Sequence, residues 1–131
     1  MDTHFDRVKS FVTELEYDIV SEDTAEELIV VDKEEEGIKN LIIDCEDDIL
    51  IIEGFIFEVK DKKPEMLEWL LKENRNLIHG AFVLDDTGQK VLFRDTLQLQ
   101  NLDLNEIEAS LNSLQLLLSE HMNALIEFSK H

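Results

Sequence analysis

Three apolar segments follow one another with only short acidic runs between them: ELIVVD from Glu27, IKNLIIDC from Ile38, and DILIIEGFIFEV from Asp48. This constrains the fold more than any other feature of the chain. The segments are short and rich in β-branched residues, so they read as strands. The intervening Glu34-Glu35-Glu36-Gly37 and Glu46-Asp47-Asp48 read as turns, because like charges this close are tolerable only in water. Gly37 supplies a residue free to take positive φ. Ile49-Leu50-Ile51-Ile52 is apolar at consecutive positions. That pattern predicts a central strand, or one covered by helix on one face and by a partner on the other. Gly54 marks a bulge or bend within it.

Helical patterns bracket the strands. Phe5, Val8, Phe11, Val12 and Leu15 recur at three- and four-residue steps, with Asp2 and Thr3 as caps. Tyr17, Ile19 and Val20 could open an edge strand, whereas Ser21 to Glu26 reads as a polar turn. Pro64 sits at a first helical position, and Met66, Leu67, Leu70 and Leu71 follow on one side up to Asn74 or Asn76. Trp69 lies off that stripe, suited either to a peripheral core position or to a contact surface. Ala81–Leu84 and Lys90–Arg94 flank Asp85-Asp86-Thr87-Gly88, a hairpin signal, with Thr96, Leu97 and Leu99 extending the second arm. After Asp103 a long helix repeats Leu104, Leu111, Leu118 and Leu125 every seven residues. Its apolar surface is broader than a coiled-coil seam, which suits a helix on a sheet with surface left for a second subunit.

With 131 residues the chain reads as one domain, residues 1–131. The net charge of -19 comes from 31 acidic and 12 basic side chains. Such a field repels nucleic-acid backbones and anionic membranes and favours basic partners. The single cysteine, Cys45, cannot form an internal disulfide and reads as buried and reduced. No signal-peptide pattern and no membrane-length apolar run is visible, so a cytoplasmic location is expected.

No constellation of residues carries chemistry. His4, His79, His121 and His131 are widely spaced, without a zinc-ligand pattern. Asp44, Glu46, Asp47 and Asp48 form the best local carboxylate group but lack calcium-loop spacing, as does Asp85-Asp86-Thr87-Gly88. There is no serine elbow or phosphate-binding glycine loop. Cys45 has acidic neighbours, which disfavour a thiolate. The expectation is a protein without enzymatic activity, cofactor or metal.

The stretch PEMLEWLLKENRNLIHGAFVLDDTGQKVLFRDTLQLQNLDLNEIEASLNSL resembles the YbjN-like family, which shares the fold of type III secretion chaperones. The resemblance rests on the helix ending near Asn74–Asn76, the Gly80-Ala81-Phe82 approach to a strand, the Asp85–Gly88 turn and the leucine-rich helix after Leu102-Asp103-Leu104. It implies an α+β fold, an antiparallel sheet with helices in the order α-βββ-α-ββ-α, and a homodimer. It also implies docking of a protein client on apolar grooves of helix and sheet. The candidate contact residues are then Phe5, Val8 and Phe11 of the first helix, Phe55 and Phe57 of the third strand, and Trp69. The acidic surface would form a rim that steers a basic client. The alternative is a structural or regulatory homodimer without a client, and a small-molecule binder ranks below both.

Overall fold

The computed structural model describes residues 3–131. Helix α1, His4–Glu14, starts in a capping box: the Thr3 hydroxyl accepts from the Asp6 amide at 3.1 Å, and the Asp6 carboxylate accepts from the Thr3 amide at 3.3 Å. These bonds with Thr3 hold the Asp6 carboxyl below its usual range. The proposed Asp2 cap lies outside the described residues. Four strands follow as a meander: β1 (Asp18–Asp23), β2 (Leu28–Lys33), β3 (Ile38–Glu46) and β4 (Ile49–Glu58). Then come α2 (Pro64–Asn74), the hairpin of β5 (Ala81–Leu84) and β6 (Lys90–Gln98), and the long helix α3 (Leu104–Lys130).

All six strands form one antiparallel sheet in the order β1-β2-β3-β4-β6-β5. The α+β class and the order of elements agree with the sequence reading, with one strand added. Ile19 and Val20 do lie in a strand, but Tyr17 precedes it, and Ser21, Glu22 and Asp23 belong to the strand rather than to a turn. The actual turn is Thr24–Glu27. A wet edge strand needs no apolar side chains, so its composition imitates a loop.

The turns follow their predicted chemistry. Gly37 (φ +76°) closes the β2–β3 connection and Gly88 (φ +72°) the β5–β6 hairpin. The Asp85 carboxylate takes up donors from the turn itself, the Thr87 hydroxyl at 2.8 Å and the Gln89 and Lys90 amides at 3.1 Å each. It therefore organises a turn rather than an ion site. The Asp103 carboxylate caps α3 by accepting from the Glu106 amide at 2.9 Å.

One core runs between the helices and a single face of the sheet. It joins Val8 and Val12 of α1, Ile29, Leu41, Leu50, Ile52 and Phe93 of the sheet, and Ile107, Leu111, Leu114 and Leu117 of α3. Strand alternation sends Leu50 and Ile52 of central strand β4 into this core, while Ile51 is buried outside it, on the opposite face. Arg7 ties α1 to the start of α3 by donating to the Leu102 carbonyl at 2.7 Å. Trp69 of α2 packs against Phe82 of β5 at 6.0 Å and against His121 and Phe128 of α3 at 5.3 Å each. That cluster fixes the second half of α3 over the sheet.

Candidate functional site

The six contact candidates lie in different environments. Phe5 and Val8 are buried in the core, because the stripe that makes α1 amphipathic is the face it turns to the sheet and α3. Phe11 is half-buried, with the Arg7 guanidinium 5.6 Å from its ring centroid. Trp69 is half-buried in the aromatic cluster that joins α2, β5 and α3. Phe57 is core, at 4% exposure, while Phe55 is 57% exposed.

Phe55 and Phe57 should share a face by strand alternation, and they do not. The β4–β6 register shifts between them: Phe55 pairs with Leu92, and Phe57 with the next residue along, Val91. Two residues of β4 thus span one step of β6, which is a bulge, and the bulge turns the strand face over. Gly54 stands immediately before it. A Cβ there would come within 3.1 Å of the Leu41 side chain, so the glycine also lets β4 approach its neighbours closely.

Phe55 is among the residues that line a cleft of about 380 Å³ between the second half of α3 and the β3–β4 hairpin. Its walls include Leu118, Met122, Leu125 and Ile126 from α3 and Phe55, Ile56 and Phe57 from β4. Met122 and Ile126 are exposed. Among the lining residues Lys39 alone is charged, and it is bridged to Glu34 at 3.2 Å. The cleft is therefore apolar, with a satisfied ion pair at its lip. The long α3 makes this possible: its first turns bury Ile107, Leu111, Leu114 and Leu117, while beyond them Met122 and Ile126 remain uncovered. Sequence periodicity showed the breadth of this helix's apolar surface but not which strand it would face.

The acidic groups concentrate elsewhere. Asp44 of β3 has its carboxyl raised above the usual range, first by burial and then by repulsion from Glu46, Glu26 and Glu53. Cys45, beside it, is buried, and burial with the nearby Glu27 and Asp44 pushes its thiol up to about 11. A thiol so protonated is a poor nucleophile at neutral pH.

A second depression of about 350 Å³ lies between α3 and the segment after α2, lined by Leu77, Ile78, Leu116 and His121 among others. The Ser113 hydroxyl donates to the His79 carbonyl across it at 2.6 Å. His121 is paired with Glu73 at 3.1 Å, so it links α2 to α3. Among the described residues, no group of three or more His, Cys, Asp or Glu side chains could hold a metal ion. No helix among them is long and apolar enough to cross a membrane.

A six-stranded antiparallel sheet with its helices on one face and an apolar cleft under the last of them defines the fold class, the type III secretion chaperone-like and YbjN-like fold. The chain belongs to the CesT_Tir_1 family, whose sequence profile matches residues 1–131. Among solved structures, YbjN from E. coli is similar with a TM-score of 0.66 at 15% identity, over 91% of this chain and 91% of that one. A chain of the complex between the Yersinia pestis type III secretion chaperone SycH and a stable fragment of YscM2 matches with a TM-score of 0.62 at 13% identity, over 97% and 100%. A chain of the HopA1–SchA chaperone–effector complex matches with a TM-score of 0.62 at 12% identity, over 94% of its length and 97% of this chain. No curated protein matches the sequence at a significant level.

Proposed function

We propose that this is a cytoplasmic protein-binding chaperone whose working surface is the apolar cleft between α3 and β4. The observation that carries the reading is Phe55. A large exposed aromatic residue next to a bulge is among the residues lining the same cleft as the uncovered Met122 and Ile126. Exposed aromatics that line an apolar depression are typical anchors for a partner's side chains. The family supports the same reading, since similar folds include a chaperone–effector complex and a secretion chaperone bound to a protein fragment.

The recognised partner is a protein segment carrying apolar side chains and a basic excess. The acidity acts at range rather than as a continuous rim, because the charged side chain lining the cleft is Lys39. A net charge of -19 accelerates encounter with a basic segment, and the apolar walls then hold it. The protein works as a homodimer. Exposed Leu71, Ile78 and Leu116, lying on α2, α3 and the segment between them, provide apolar surface for the second subunit.

The test is a photo-crosslinking residue at position 55 of the folded protein in its own cells, with a control at exposed Glu46. Once the crosslinked partner is known, Phe55→Asp should weaken its binding about 30-fold or more, as loss of a buried anchor does. A folded Phe55→Asp protein that keeps its partner at wild-type affinity refutes the reading.

A further inference from the structure

The cleft between α3 and β4 has a neighbour on the same side of α3. A depression of about 220 Å³ lies between that helix, the end of α1 and the turn joining β2 to β3. Glu108, Leu111 and Asn112 line it from α3, as Leu118, Met122 and Ile126 line the cleft. Steps of three and four residues connect the two sets, so both hollows lie along one line of the helix. The opposite wall passes from Lys33 and Glu36 in the depression directly to Gly37 and Ile38 in the cleft. The two ends differ in chemistry. The cleft is apolar, whereas the depression gathers Glu14, Glu16, Glu36 and Glu108.

Tyr17 also lines the depression and is only 5% exposed. Its hydroxyl has no hydrogen-bond partner among the described residues. Burial, and after it the charges of Glu36 and Glu35, raise that hydroxyl above the ordinary phenol value, so it stays protonated. Its oxygen can accept from an incoming N–H while its own proton goes to a carboxylate. Lys33, the cation that lines the depression, is already committed. It donates to the Leu15 carbonyl at 2.9 Å, lies 3.6 Å from the Glu36 carboxylate and stands 5.0 Å from the Tyr17 ring centroid. Glu14, Glu16 and Glu108 enter no ion pair among the described residues. The place is thus complementary to a second cation that carries N–H donors.

We infer that the depression around Tyr17 is a subsite for an arginine side chain of the same protein segment whose apolar side chains fill the cleft. The inference rests on the cleft reading and adds a register to it. Glu108 and Met122 are 14 residues apart on α3, about 21 Å at 1.5 Å per residue. An extended chain needs about six residues to cover that distance, so the arginine stands about six residues from the apolar anchor. A guanidinium suits the place better than an ammonium, because its planar fork can donate to the Tyr17 oxygen and to a carboxylate at once.

The experiment follows the fluorescence anisotropy of labelled Gly/Ser peptides that carry one Phe-Leu pair and one arginine. The arginine is placed either next to the pair or six residues from it, on either side, and a peptide with alanine in its place is the reference. On wild type the distant arginine should tighten binding about five- to tenfold over the reference, the worth of one net hydrogen bond, and more than the adjacent arginine does. Tyr17→Phe should remove most of the difference between distant and adjacent arginine, which a general effect of net charge would not do. Glu108 is exposed, so Glu108→Gln makes the same test should Tyr17→Phe fail to fold. Met122→Asp should weaken every peptide. If it weakens none, or if no peptide binds wild type, the cleft reading falls and the subsite with it. If Met122→Asp weakens them all but distant and adjacent arginines bind alike, or if Tyr17→Phe and Glu108→Gln leave their difference intact, the subsite is overturned and the cleft stands.

Discussion

Replacing Gly80 by alanine, with Gly37 as its control, tests how tightly β5 is fitted against the core. Both glycines sit in the left-handed region, at φ +78° and +76°. An alanine at either position incurs the backbone penalty of about 1–2 kcal/mol. Their surroundings differ. At Gly37 an added Cβ meets nothing within 4 Å. At Gly80 it would stand 2.4 Å from two carbons of the Phe93 ring and 3.2 Å from the Arg94 carbonyl oxygen. Phe93 is fully buried, so its ring can yield only by displacing the core, and overpacking of that kind adds about 1–3 kcal/mol. Gly80→Ala should therefore cost about 2–5 kcal/mol in total, against about 1–2 for Gly37→Ala. With domain stabilities of about 5–15 kcal/mol, the first loss is large and the second modest. Urea unfolding followed by Trp69 fluorescence measures both, since that ring packs against Phe82, His121 and Phe128. With an m-value of about 2 kcal/mol/M the Gly80→Ala midpoint should fall by about 1–2.5 M. Equal midpoints for the two variants would refute the steric argument, because they would mean that the Phe93 ring moves aside freely.

Two further predictions concern charge. The Cys45 thiol is raised by burial to about 11 from an ordinary 9.0, so the unfolded chain releases its proton first and stability drops as pH climbs from 9 to 11. Cys45→Ala should lose that part of the alkaline slope in urea-midpoint measurements, and identical slopes would contradict the burial. Asp44 is raised by burial and by Glu46, Glu26 and Glu53, so its ionised form weakens the fold at neutral pH. Asp44→Asn should gain up to about 0.5 kcal/mol at pH 7 in thermal unfolding, with the gain fading below the ordinary carboxylate value of 3.8 and shrinking in high salt. A gain unchanged by salt and pH would show that repulsion is not its source.

Most of the architecture is legible in local chemistry. Gly37 and Gly88 mark their turns, Asp103 marks the start of α3, and the doubly apolar Ile49–Ile52 run marks the central strand. β1 escapes this reading because Ser21, Glu22 and Asp23 are as suitable for a solvated edge as for a loop, and only pairing with β2 distinguishes the two. The cleft is half-legible. The breadth of α3's apolar face is written in its leucines, but the burial of Phe57, on the opposite face from Phe55, depends on a register shift against β6, a strand whose position beside β4 no local pattern encodes. The pair of hydrogen bonds between the Asn74 carboxamide and the Phe82 backbone is of the same kind, since an asparagine near a helix end ordinarily signals termination alone.

The strand order has a consequence for synthesis of the chain. β1 to β4 pair with their neighbours in sequence, but β4 receives its second partner only when β6 has been made. Until then the strand holding Ile49-Leu50-Ile51-Ile52 is an open edge on a half-built sheet. The 40 residues from Val59 to Gln98 take a ribosome roughly 2–8 s to add. For those seconds the nascent chain displays its stickiest strand, and the interval ends only when a segment distant in sequence folds back to cover it.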